Sequence, residues 1–379
     1  MTQNNGRKKI LILLAGLILI FCLVTRLAGC FHRSGREDIV IGLAWPFATK
    51  NSMLKEGVEL AVDEINGRGG IKGKKIRLVE KDDEGTVTGG VNAAQSLVKI
   101  PNLVAVIGHR ASFVSIAASA IYEEAGVLML SPASTAPNLT QRGYKLIFRN
   151  IPGDDEIARQ LALFAAGRGH RRMAVYYSED SYGLGLANSF EDHAKKAGIK
   201  IIDRISYYAD QDDLARLAKK WQALDYDGIF VAHYMPDGAE FIADAAKAGI
   251  TAPFLAGDAM DTPELYKIAG KAAEGTVVGS IFNPGDPRPE TRQFIENFSK
   301  KYNTAPTPYA AQGYDAVHLL AAAVEESGST DPRAVAGKLR TFKDRPGAAG
   351  THTFTENGDD VGNLVVKKVI RDGQFNFIN

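Results

Sequence analysis

Apolar residues along this chain fall into two alternating patterns. Short unbroken runs, as in strands buried on both faces, give way to stretches where apolar residues return every three or four positions, as on one face of a helix. The spacing predicts a strand over Asp38–Ala44 (DIVIGLA), a helix over Met53–Ile65, a strand over Lys75–Glu80 and a helix over Thr86–Val98. Leu103–Gly108 (LVAVIG) is the next strand. Phe113–Ala125 is the next helix, closed by Gly126 in the place of a C′ glycine, and Val127–Leu130 is the strand after it. Beyond Leu146–Asn150 the tripeptide Ile151-Pro152-Gly153 breaks the pattern and a second series begins. Its strands read Arg172–Tyr177, Lys200–Tyr207, Gly228–Ala232, Pro253–Gly257 and Thr276–Phe282. Between them lie helices over Asp155–Gly167, from about Tyr182, and over Asp212–Ala223, Asp237–Ala248 and Pro263–Ile268. Pro284–Pro289 breaks the pattern again. Helices then read over Arg292–Tyr302, Tyr309–Ser327 and Pro332–Thr341, before extended segments in Gly350–Asn379 with a hairpin turn at Asp372-Gly373.

Two strand–helix series imply an α/β protein of two doubly wound, Rossmann-like lobes. The breaks near residues 151, 283 and 355 imply three crossings between them, a three-segment hinge suited to closing on a ligand. The polar segments His109–Ser112 and Ser131–Thr135 each follow the carboxyl end of a strand, where ligands sit in open α/β sheets. Ser112 opens a helix, so its hydroxyl, the first-turn amides and the Thr135 hydroxyl can together hold a carboxylate. The simpler alternative makes Ser112 an N-cap and Ser131–Thr135 a turn. Asn66–Gly73 is glycine-rich but follows a helix, precedes a strand and lacks the Gly-Lys-Ser/Thr ending, so it reads as helix termination and a turn.

The length, 379 residues, suffices for two cores, and the formal charge is +1. That charge is uneven. Arg7, Lys8, Lys9 and Arg26 precede Cys30 and no acid does, so removing residues 1–29 takes four cations from +1 and leaves −3. Such a body excludes nucleic acid as a partner on charge. The basic residues 7–9, the apolar run Ile10–Val24 and then Leu27-Ala28-Gly29-Cys30 read as an export signal ending in a sequence that resembles a bacterial lipobox. Cleavage before Cys30 and lipidation of its thiol would make an exported, membrane-anchored lipoprotein on the periplasmic side or cell surface. Cys22 is lost with the signal, which leaves no disulfide.

Enzymatic chemistry finds little purchase. His109, His170, His193, His233, His318 and His352 show no metal-ligand spacing. There is no Gly-x-Ser-x-Gly elbow, and Gly183-x-Gly185 lacks the third glycine of a dinucleotide fingerprint, position 188 being Asn188. No catalytic residue, metal or cofactor is expected. Glu179 and Asp180 read as solvated acids, and His109 and His233 as hydrogen-bonded loop histidines.

From about Ile39 to Phe377 the sequence resembles the type I periplasmic-binding-protein family, in particular its leucine/isoleucine/valine-binding branch serving ABC importers. The matching strings include Glu64-Ile65-Asn66 running into Gly69-Gly70-Ile71-Lys72-Gly73, Val106-Ile107-Gly108-His109, Ile121-Tyr122-Glu123, Ser131–Pro137 (SPASTAP), Leu139–Tyr144 (LTQRGY) and Tyr182-Gly183-x-Gly185. The resemblance implies that Ser112 and Thr135 hold the carboxylate of an amino acid and that the Ala133 carbonyl accepts from its ammonium. It implies that Tyr234 and Asp258 face that ammonium from the second lobe, Asp258 neutralising it. Tyr182 and Tyr309 are implied near the side-chain pocket, together with the loop carrying Trp45 and Lys50. Asp258 stands where the branch often has a longer Glu, and Lys50 where it often has an aromatic. Lys50 either attracts a second negative charge on the ligand or stays solvated. Asp258→Ala is expected to weaken binding while leaving the unliganded melting point little changed. Residues 1–29 are thus expected to be a lipoprotein signal peptide and 30–37 a tether. The first lobe takes 38–151 and 283–355, and the second takes 152–282 and 356–379. The implied role is a monomeric solute receptor, anchored in the membrane through Cys30, that delivers a branched-chain or related amino acid to an ABC permease. Presentation of an amino acid or amide to a sensory receptor is the alternative.

Overall fold

A computed structural model describes residues 38–48, 52–361 and 365–378; the export signal, the tether with Cys30, and Lys50 lie outside the described residues. From Ile39 onward the chain is one compact unit built on two sheets.

The first sheet holds β1 (Ile39–Trp45), β2 (Ile76–Asp82), β3 (Leu103–Gly108), β4 (Leu128–Ser131) and β5 (Ile147–Arg149), all parallel, in the order β2-β1-β3-β4-β5. Every residue of β1, β3 and β4 is buried, because helices cover both faces; that is why these strands appear in the sequence as unbroken apolar runs. The crossovers are α1 (Leu54–Gly67), α2 (Val87–Leu97) and α3 (Ser112–Ala125). Thr86 caps α2 by accepting the Gly89 N–H at 2.9 Å, and Gly126 ends α3 at φ 71°, which only glycine adopts freely.

The second series supplies α4 (Asp154–Gly167), β6 (Arg172–Tyr177), α5 (Ser181–Lys196), β7 (Lys200–Ile205), α6 (Gln211–Ala223), β8 (Gly228–Ala232), α7 (Asp237–Lys247), β9 (Phe254–Ala256), α8 (Glu264–Ala269) and β10 (Val277–Ser280). The chain then returns to the first lobe as α9 (Pro289–Tyr302), α10 (Pro308–Ser327) and α11 (Pro332–Leu339). Leu319, Leu320, Val335 and Leu339 share one core with Leu43, Ile107 and Leu130. α10 lies so close on α1 that a Cβ at Gly57 would fall 2.0 Å from the Ala310 carbonyl oxygen. After β11 (Arg345–Pro346) and β12 (Thr351–His352), β13 (Val366–Arg371) and β14 (Gln374–Ile378) join the second sheet, whose order is β14-β13-β10-β9-β8-β6-β7. Asp372 and Gly373, both at positive φ (51° and 73°), make the hairpin turn.

Two expectations shift. The helix predicted from Arg292 begins at Pro289, because proline at the first helical position has no N–H to leave unpaired. The third crossing, expected near 355, comes later. Phe354 sits in the first core, the Arg149 N–H donates to the Gly358 carbonyl, and Asp360 bonds to His352, so the first lobe keeps the chain through Asp360.

Candidate functional site

On the first lobe the site is built where β3 ends and α3 begins. Ala111 is the N-cap, in extended conformation and without a capping side chain, so Ser112 is the first helical residue rather than the cap. The amides of Ser112 and Phe113 donate to no described residue, as expected for a helix start. Ser112 is buried, and its hydroxyl oxygen accepts the Ala136 N–H at 3.3 Å, which leaves its proton free to donate elsewhere. The Thr135 hydroxyl is buried without a hydrogen bond among the described residues, and the Ala133 carbonyl likewise accepts none.

Beneath this surface the polar groups satisfy one another. The hydroxyls of Ser115, Ser131 and Ser134 gather around the His109 carbonyl at 3.2–3.3 Å. The His109 ring is fixed between Asp83 Oδ2 (2.7 Å) and the Tyr122 hydroxyl (3.1 Å). Arg149, fully buried, donates to the carbonyls of Ser134 (3.0 Å) and Ala136 (2.9 Å) and to Thr140 Oγ1 (2.7 Å), and pairs with Asp359 at 2.8 Å. The loop bearing Thr135 is therefore clamped from below.

On the second lobe Asp258 opens a short 3-10 turn just past the carboxyl end of β9. It is 7% exposed and accepts the Tyr182 hydroxyl at 3.1 Å; the Ala259 N–H donates to that hydroxyl at 3.3 Å. Tyr182 is held by the start of α5, where Asp180 Oδ1 accepts the N–H groups of Tyr182 (2.8 Å) and Gly183 (3.1 Å). The approach requires glycine at 257, since a Cβ there would lie 2.6 Å from the Tyr182 hydroxyl. Burial pushes Asp258 up to about 6 and lifts the Tyr182 hydroxyl well above the usual phenol range. Tyr234 stacks obliquely on Tyr182 with centroids 4.7 Å apart, and its hydroxyl is buried without a partner among the described residues.

Between the two halves lies Asp154, the first residue of α4. It is buried, and neither carboxylate oxygen has a well-formed hydrogen bond among the described residues. Burial raises its pKa well above the carboxylate range; the nearby Thr135 hydroxyl and Arg149 oppose that, and the charges of Asp258 and Asp180 reinforce it. Tyr234 in turn feels Asp154, Asp258 and Tyr309, and Tyr309 feels Asp258. Thr135, Asp154, Asp258, Tyr234 and Tyr309 are thus linked, each shifting the titration of at least one other or being shifted by it. Trp45 belongs mainly to the core: it is 1% exposed, its indole N–H donates to Ser52 Oγ at 3.0 Å, and it meets Tyr309 edge-on with centroids 5.9 Å apart. A cavity of about 510 Å³ separates Phe113 and Pro137 from Asp180, Leu184 and Gly185.

Sequence reasoning missed Arg149 and Asp154, and read Asp180 as solvated, whereas it is the half-buried N-cap of α5. Asp154 is hidden in the sequence by Asp155 and Glu156, which look the same there but are exposed and half-buried, respectively. Among the described residues no group of three His, Cys, Asp or Glu side chains is arranged to hold a metal ion.

Two α/β lobes, with unpaired helix-start amides and a free hydroxyl on one and a buried carboxylate on the other, have the architecture of a solute-binding protein. The model of a periplasmic binding protein family matches residues 40–373, and the chain belongs to that family. It is 31% identical to Leu/Ile/Val-binding protein homolog 3 of Brucella melitensis over 87% of this chain and 90% of that protein. To the Leu/Ile/Val-binding protein of Escherichia coli it is 30% identical over 88% and 92%. Among solved structures, an ABC transporter substrate-binding protein from Desulfitobacterium hafniense in complex with Leu is 50% identical, with a TM-score of 0.84 over 90% of this chain and all of that one. The branched-chain amino acid transporter substrate-binding protein LivJ from Streptococcus pneumoniae, in complex with isoleucine, is 27% identical, with a TM-score of 0.80 over 89% and 97%.

Proposed function

We propose that this protein is the extracytoplasmic solute-binding component of an ABC importer, and that it takes up a branched-chain or related amino acid between its two lobes. The single observation that carries this reading is that the Thr135 hydroxyl on one lobe and the Asp258 carboxylate on the other are both buried without a cation or donor from the opposite lobe among the described residues, and both act on Asp154. A zwitterion bridges a crevice between them. Its carboxylate meets the Ser112 and Thr135 hydroxyls and the first-turn amides, and its ammonium meets Asp258, Tyr234 and the Ala133 carbonyl. Tyr182 positions Asp258, while Tyr309, backed by Trp45, faces the ligand side chain. The leucine and isoleucine complexes of the similar proteins support the ligand class. In this reading Cys30 carries the lipid anchor, and the protein works as a monomer that docks on a permease in its closed form.

Calorimetric titration with leucine, isoleucine and valine tests the reading, alongside the melting-temperature rise that a tight ligand produces by mass action. Saturable binding of at least one, lost in Asp258→Ala, is expected. Absence of binding by any amino acid overturns it.

A further inference from the structure

Read as an amino-acid site, the lobes offer three corners: Ser112 and Thr135, Asp258 with its Tyr182 partner, and Tyr309 packed edge-on against Trp45. At Tyr309 lies Arg110, two residues before Ser112. Its backbone is fixed, the carbonyl accepting the Ser134 hydroxyl at 3.3 Å. Its guanidinium carbon stands 5.9 Å from the centre of the Tyr309 ring. The residue is half-buried, and among the described residues no carboxylate forms an ion pair with it. Arg149, Arg288 and Arg345 differ in this respect: each has its carboxylate partner, at 2.8, 3.0 and 2.6 Å. The Tyr309 hydroxyl, which burial pushes up to about 12, is drawn back by the charge and a hydrogen bond of Arg110 and pushed further by Asp258 and Asp261.

We propose that Arg110 gives the crevice an anchoring point for an acceptor oxygen at the end of a ligand side chain, so that the protein binds amino acids ending in a carboxylate or carboxamide as well as aliphatic ones. This rests on the reading of the crevice as an amino-acid site. With carboxylate and ammonium held at the first two corners, the side chain leaves the α-carbon toward the third. A guanidinium facing an aliphatic side chain there loses water and gains no acceptor from the ligand, which is unfavourable for a charged group. Facing a carboxylate it forms paired charge-assisted hydrogen bonds through its planar fork, and facing a carboxamide it donates to the carbonyl.

The test is calorimetric titration of the purified full-length protein with L-leucine, L-glutamate and L-glutamine, for the wild type, Arg110→Met and Arg110→Lys. In the wild type, glutamate or glutamine is expected to bind within about tenfold of leucine. Arg110→Met is expected to weaken both polar ligands by about tenfold or more while leucine holds or tightens, and Arg110→Lys to retain more glutamate than glutamine binding, since it keeps the charge but loses the fork. Polar ligands about a hundredfold weaker than leucine in the wild type, or an Arg110→Met loss equal for all three, overturns the proposal and leaves the amino-acid reading standing. Failure of leucine as well overturns both. Should Arg110→Met not fold, the wild-type ranking and Arg110→Lys decide.

Discussion

Replacing Asp258 with asparagine should move ligand affinity and unliganded stability in opposite directions. The carboxyl is 7% exposed and accepts the Tyr182 hydroxyl, and among the described residues no cation pairs with it. Burial raises it from 3.8 to about 6. The folded chain therefore holds this proton more tightly than the unfolded one. The group's stabilising contribution is complete below the unfolded value and is lost as pH rises through about 6. At neutral pH the ionised form costs about 3 kcal/mol relative to the protonated one. Asparagine keeps an acceptor for Tyr182 and removes the charge. Allowing for a weaker neutral hydrogen bond, the unliganded variant gains about 1–2 kcal/mol. For lobes of this size that is a rise in Tm of about 2–6 °C.

Binding goes the other way. An ammonium facing a neutral amide in place of a buried carboxylate loses about 3–5 kcal/mol, at least a hundredfold in Kd. The pH profiles separate as well. Wild-type affinity falls about tenfold per pH unit below about 6, as Asp258 takes up the proton that the ligand must displace, and the variant is flat there. Calorimetric titration across this range, with unliganded melting at neutral pH, reads both effects. A variant that melts lower without ligand, or that keeps the wild-type slope below pH 6, refutes the reasoning. The sequence alone predicts that Asp258→Ala leaves the unliganded melting point little changed; it is the burial of an unpaired charge that alters the expectation for asparagine.

Three further outcomes follow from the same geometry. A methyl group at Gly185 would lie 2.6 Å from Asp154 Oδ2 and 3.0 Å from Pro137 Cδ, so Gly185→Ala should hold the lobes apart and weaken ligand binding by about tenfold or more; unchanged affinity counts against this contact between the lobes. His352, bonded to Asp360 at 2.6 Å and Asp315 at 3.2 Å, is pushed up to about 10 by those carboxylates against the effect of burial. Its contribution is complete below 6.5 and lost as pH rises through about 10, so wild-type Tm should fall over that interval while His352→Gln melts lower at neutral pH and shows a flatter profile. His109→Leu leaves buried Asp83 Oδ2 without its hydrogen-bond partner and should cost about 1–3 kcal/mol in urea unfolding; no measurable loss would mean that Asp83 Oδ2 finds another donor.

Most of the fold is legible in the chain because burial on both faces writes β1, β3 and β8 as uninterrupted apolar runs and because turns such as Gly126 and Asp372-Gly373 need particular residues. The third crossing is not legible. Residues 356–360 are polar in sequence and are kept in the first lobe by the Arg149 N–H, which donates to the Gly358 carbonyl, and the Thr140 hydroxyl, which donates to Asp359, partners far away along the chain. The same limit governs the site. Ser112, Thr135 and Tyr182 announce themselves through local motifs, but Asp154 and Arg110 acquire their character from what packs around them. Asp154 looks like any acid in a first helical turn until the Thr135 loop and α5 close over it.

Several buried polar groups near the meeting of the two lobes lack a hydrogen-bond partner among the described residues. The framework beneath the first lobe's surface is satisfied by Asp83, Tyr122 and Arg149, yet the Thr135 hydroxyl, the Asp154 oxygens and the Tyr234 hydroxyl, all buried, have no hydrogen bond among the described residues. Bringing these groups and the Asp258 charge out of water is unfavourable unless something else satisfies them. A zwitterion does so with both of its charges at once, and only when both lobes reach it. Its affinity for the closed arrangement therefore exceeds that for the open one by the desolvation it relieves, and that difference is what can drive closure. A closed state stabilised this way signals occupancy, because the groups that disfavour the empty closed form are the ones the ligand engages.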